Sequence, residues 1–154
     1  MKIRVIASAV LFLAAAVVFK IAFATPTPVT PAAPQVDINW EKMDHDAREE
    51  YMRNVIMPKM RKVFHDFDSV KYAKINCKTC HGAGATNETF KMPNPKLPKL
   101  PSKPEGWTEL NNKHPEIMKF MMQTVKPEMA KMLNVPQKDE KNPKGFGCTN
   151  CHTM

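Results

Sequence analysis

The chain has 154 residues, with 14 prolines against 5 glycines, 12 methionines, 4 cysteines, and 23 Lys+Arg against 15 Asp+Glu, a formal charge of +8. That length allows one domain and hardly two. The first 24 residues hold a large share of the apolar content, so the remainder is polar, basic and short of aromatics, which speaks against a large dry core.

Residues 1–24 read as an export signal: Lys2 and Arg4, an apolar run from Val5 to Phe19, then Ala22, Phe23 and Ala24 with small residues at the cleavage positions. The same stretch is almost long enough to remain as an N-terminal membrane anchor, interrupted only by Lys20. Cleavage after Ala24 leaves 20 basic against 15 acidic residues, a formal +5. No basic run interleaved with aromatics follows, so nucleic acid is not expected as a partner. Residues 25–36 carry four prolines and no charge, the composition of an extended spacer. The folded domain is expected over residues 37–154.

From Asp46 to Phe67, the residues Met52, Ile56, Met60, Val63 and Phe67 recur at helical spacing, with Asp46 and Glu49 placed as a capping box and Pro58 as a bend. Residues 90–101 alternate prolines with apolar residues and suit neither helix nor central strand. A second helix is expected from Pro115 to Asn134, striped by Ile117, Met121, Val125, Met129 and Met132, with Pro127 as its bend. No strand signal is convincing.

The two helices resemble each other. A shift of 69 lays Tyr51 and Met52 on Phe120 and Met121, Ile56 on Val125, Pro58 on Pro127, Met60 on Met129, Lys62 on Lys131 and His45 on His114. Interior proline is costly, so two matched prolines argue for a diverged duplication. The fold class expected is mainly α, two helix-loop-Cys-x-x-Cys-His repeats over about 44–82 and 113–154, joined by a proline-rich connector over 83–112.

All four cysteines fall in one pattern used twice, Cys77-Lys78-Thr79-Cys80-His81 and Cys148-Thr149-Asn150-Cys151-His152. This is the signature of covalent c-type haem attachment. Two thiols at i and i+3 can form thioethers with both vinyl groups of one porphyrin, and the next residue, His81 or His152, then lies where its imidazole can bind iron. A four-cysteine zinc site suits a reducing cytosol and leaves both histidines idle. Disulfides or a thioredoxin-like centre suit export but leave the same histidines unexplained.

For the second axial position on each iron, the methionines that match between copies are Met52/Met121 and Met60/Met129. Met60 and Met129 lie closer to Cys77 and Cys148, with a loop between that lets the chain double back, and are preferred. His45/His114 would give bis-histidine haems instead, and Met92 in the connector is a further candidate for the first haem only. Gly145 and Gly147 are expected to let the backbone approach the second porphyrin. Lys71, Lys74 and Lys78 near the first motif suit a docking patch, with a solvated face as the preferred reading.

On these motifs the sequence resembles small exported dihaem cytochromes c. Its order of helix, methionine, loop and Cys-x-x-Cys-His is similar to the repeating plan of the cytochrome subunit of photosynthetic reaction centres. The resemblance covers about residues 45–81 and 114–152. It implies covalent haem on Cys77, Cys80, Cys148 and Cys151, proximal His81 and His152, and a sixth ligand from Met60 and Met129. The loops before Cys77 and Cys148 are longer than in that plan, only two units are present, and both helices contain proline. The function implied is periplasmic one-electron transfer with periplasmic or membrane-bound redox proteins, by two c-type haems and without enzymatic activity. A haem-based gas sensor or small haem enzyme would need an open axial position, and a copper-handling protein is the reading suggested by Met118, Met121, Met129 and Met132.

Overall fold

The computed structural model of the chain describes residues 38–154, and the expected signal peptide and spacer lie outside the described residues. Asp44 opens the first helix by accepting a hydrogen bond from the Ala47 amide at 2.9 Å, so the cap is Asp44 rather than Asp46. The helix runs through α1 (His45–Tyr51), a π-helical turn (Met52–Ile56) and α2 (Met57–Phe67). Between it and the second long helix lie the short α3 (Cys77–His81) and α4 (Pro104–Lys113). The second long helix is built like the first, from α5 (Pro115–Phe120) through a π-helical turn (Met121–Val125) into α6 (Lys126–Met132).

The two π turns occupy equivalent positions in the two long helices, each just before its interior proline. A proline at position 58 lacks the amide that would bond the Asn54 carbonyl, and its ring would clash with that carbonyl. The wider turn, in which the Met57 amide bonds the Met52 carbonyl, opens the ladder ahead of the ring. The Lys126 amide bonds the Met121 carbonyl in the same way ahead of Pro127.

The apolar stripes of the two helices meet. Ile56, Met60, Phe64, Ile75, Phe120 and Leu133 form one buried cluster, with Met129, Met132, Val125, Tyr72 and Phe146 packed around it. Phe120 stacks on Phe67 at 4.0 Å between ring centroids and meets Phe64 edge-on at 5.1 Å. At the other end the Tyr51 hydroxyl donates to the Met132 carbonyl at 2.9 Å.

The connector has no helix from residue 90 to 101 and then forms α4, an element that the sequence pattern within 83–112 does not announce. Pro104 suits the first turn of α4, and His114 ends α4 while standing as the residue before α5. The fold is mainly helical. Among the described residues extended pairing is confined to one isolated bridge between Gln137 and Phe146.

Candidate haem-attachment site

Each cysteine motif is led out of the apolar cluster by a residue two positions before its first cysteine. Ile75 is buried in the cluster with Met60, and Arg61 Nε donates to the Ile75 carbonyl at 3.1 Å. Phe146 packs on the same cluster, at the end of a loop closed by the Lys138 amide to the Phe146 carbonyl and the Phe146 amide to the Pro136 carbonyl, both 2.8 Å. Gly145 is needed by that loop: a Cβ there would lie 2.6 Å from the Gln137 carbonyl carbon and oxygen. A side chain at 145 would therefore meet the chain's own backbone.

The two cysteine-bearing turns are capped in equivalent ways. The Asn76 amide donates to Thr79 Oγ1 at 3.1 Å, and the Gly147 amide donates to Asn150 Oδ1 at 2.8 Å. In each case the side chain just before the second cysteine holds the backbone just before the first. Asn76 Oδ1 also accepts from the Lys78 amide at 2.9 Å, which starts α3. The second motif makes a single 3-10 turn, Cys148–Asn150.

The connector joins both turns. The Phe90 carbonyl accepts from His81 Nδ1 at 3.2 Å, and the Pro98 carbonyl accepts from His152 Nδ1 at 2.9 Å. A carbonyl can only accept, so Nδ1 carries a proton in both imidazoles. Burial holds the His81 imidazole below its ordinary range, against the smaller opposite pull of the Phe90 carbonyl, which keeps it neutral at neutral pH. Further along, the Leu100 amide donates to the Thr153 carbonyl at 2.8 Å.

All four cysteines are free thiols, Cys77 exposed and the others partly buried. Burial pushes the Cys80 thiol up, with the Cys77 sulfur adding to it. Burial pushes the Cys151 thiol up to about 12, and Cys80 and Cys148 add to the shift. Among the described residues no three His, Cys, Asp or Glu side chains converge as a metal cage, so the four-cysteine zinc arrangement is not preformed. The donor set fits covalent haem: paired thiols in each motif, and a following imidazole oriented through Nδ1.

The candidate distal ligands divide by environment. Met60 is 5% exposed within the cluster, and Met129 is packed against that cluster. His45 has both ring nitrogens engaged, Nε2 donating to the Glu88 carbonyl at 3.0 Å and Nδ1 facing Asp46 Oδ1 at 3.2 Å. His114 is exposed between α4 and α5. Met122, with no methionine counterpart at Arg53, brings its Sδ to 4.0 Å from Cys148 Sγ. Repeat symmetry passes over it for that reason. The connector carbonyls and Asn94 also escape sequence reasoning. Comparison with protein-family models, curated proteins and solved structures finds no match to this chain.

Proposed function

We propose that this chain is a dihaem c-type cytochrome that passes single electrons between redox partner proteins outside the cytoplasmic membrane. One haem is assigned to Cys77, Cys80 and His81, the other to Cys148, Cys151 and His152. The observation that carries the reading is the pair of connector carbonyls on His81 and His152. A hydrogen bond to Nδ1 sets the tautomer and ring rotation that an iron-binding Nε2 requires, and it raises ligand basicity. Two motifs 71 positions apart in the chain receive the same treatment from one segment, which a pair of structural disulfides would not require.

When bound, haem c supplies a reversible one-electron couple at iron. The chain's own part is to fix the imidazoles, present the thiols on short capped turns, and cover one side with the methionine-bearing helices. Met60 and Met129 are the proposed sixth ligands, because Ile75 and Phe146 tie each attachment turn to the cluster those methionines occupy. Two helix-loop-motif repeats are the plan this reading assumes, supported by the equivalent placement of the two π turns.

The test is intact mass together with a pyridine haemochrome assay on protein matured in a host with haem-attachment machinery. Two covalent haems per chain, each reversibly reduced by one electron, are expected. An unmodified mass, or one haem with a disulfide, overturns the proposal.

A further inference from the structure

Among the described residues Asn94 is the buried polar one, 4% exposed, and it uses all of its bonding groups. Its Nδ2 donates to the Cys80 carbonyl at 2.9 Å, and its backbone amide donates to the Cys151 carbonyl at 3.0 Å. Its Oδ1 accepts from the Lys96 amide at 3.0 Å, and its carbonyl accepts from the Leu97 amide at 3.1 Å. A buried amide without partners would be costly, whereas this one satisfies a carbonyl in each attachment turn. Room for it comes from Gly82, immediately after His81. A Cβ on Gly82 would lie 2.8 Å from Asn94 Oδ1, and the Gly82 φ of +57° disfavours a side chain in any case.

We propose that Asn94 is a positioning residue that sets the separation of the two attachment turns, so that the two haems act as a coupled pair rather than as independent centres. This inference rests on the two-haem reading above. One asparagine and two hydrogen bonds place the Cys80 and Cys151 carbonyls within about 10 Å of each other, the most that such a link can span. The connector meets the first turn at Phe90, both turns at Asn94, and the second turn at Pro98 and Leu100. Removing the Asn94 side chain would cut the link to Cys80 while the backbone bond to Cys151 stays. The first turn would then be freer to move against the second.

The experiment uses full-length, haem-loaded protein. Electron paramagnetic resonance of the fully oxidised form should depart from the sum of two isolated ferric haems, because the magnetic interaction between irons depends steeply on their separation. Asn94→Ala should lose much of that interaction and narrow the difference between the two midpoint potentials. Asn94→Asp, which keeps the Oδ1 acceptor and removes the donor to Cys80, should act in the same direction. Variants that unfold at lower temperature but keep the parent's spin interaction and potentials would make Asn94 a packing residue only, and the proposal would fall. Should both variants fail to fold, the parent spectrum decides: two non-interacting haems overturn the coupled pair. Intact mass is read on the same samples, so absence of two haems marks failure of the underlying reading, separately from failure of the Asn94 assignment.

Discussion

Lys59 Nζ and Glu128 Oε2 stand 3.4 Å apart, and the two residues occupy the same position in the two long helices. A residue that meets its own equivalent lies beside an approximate twofold axis. The other contacts repeat the relation. Tyr51, near the start of the first helix, reaches Met132 at the end of the second, and Phe120, near the start of the second, stacks on Phe67 at the end of the first. The two helices therefore pack antiparallel, each start against the other's end.

The Lys59–Glu128 pair is partly exposed, with side chains 48% and 32% accessible, so its contribution is modest. Lys59→Glu or Glu128→Lys alone is expected to lower stability by up to about 1 kcal/mol, and the double swap to recover most of it. Denaturant unfolding of the four proteins measures this, and the differences should shrink at high salt. Additive losses in the double variant would show that the two charges do not interact.

Phe120 is 6% exposed and packs on Phe67 and Phe64 at one end of the helix pair. Phe120→Ala should cost about 3–5 kcal/mol, the usual loss for an aromatic removed from a core. Val70→Ala, in a loop position 88% exposed, should change stability by less than about 0.5 kcal/mol. Equal small effects at both positions, read from urea midpoints, would mean that the helices are not held by this contact.

Methionine ligation predicts a weak far-red charge-transfer band in the oxidised protein and potentials above those of bis-histidine haems. Met60→Ala should remove about half of the band and Met129→Ala the rest, since equal ligands at two irons contribute equally. Retention of the whole band in both, with a loss in Met52→Ala, Met121→Ala or Met122→Ala, would move the ligand to that residue. Met122 joins the comparison because of its contact with Cys148.

His45 titrates above its ordinary 6.5, raised first by its hydrogen bond to Asp46 and then by the Glu88 carbonyl. A histidine whose folded value exceeds its unfolded value stabilises fully below the unfolded value, and that contribution fades as pH rises through the folded value. Nuclear magnetic resonance titration of the imidazole should therefore give a midpoint above 6.5, and Asp46→Asn should lower it. A midpoint at or below 6.5 would show that the exposed pair is dissolved by solvent. If His45 were instead an iron ligand, its proton titration would disappear from this range altogether.

The helical stripes were legible because amphipathic periodicity is a local property: Ile56, Met60 and Phe64 recur at the helix repeat whatever they pack against. Matched Pro58 and Pro127 marked equivalent irregularities, but their form, a π turn rather than a simple bend, depends on how the surrounding ladder yields to a missing amide. The paired cysteines and following histidines were legible because the Cys-x-x-Cys-His spacing is fixed within five consecutive residues and recurs 71 positions later. The hydrogen-bond partners of those histidines had no signature of their own. Every residue carries a carbonyl, so nothing in the side chains of Phe90 or Pro98 marks them as acceptors for His81 and His152. Asn94 reads in sequence as an ordinary turn residue between prolines. Its burial between Cys80 and Cys151 depends on long-range folding, which brings two motifs far apart in the chain onto one connector. The sequence alone thus determined the helix faces and the spacing of the cysteine motifs. The tertiary structure decided how those motifs are held together, because the Phe90, Pro98, Cys80 and Cys151 carbonyls acquire these partners only when separate segments meet.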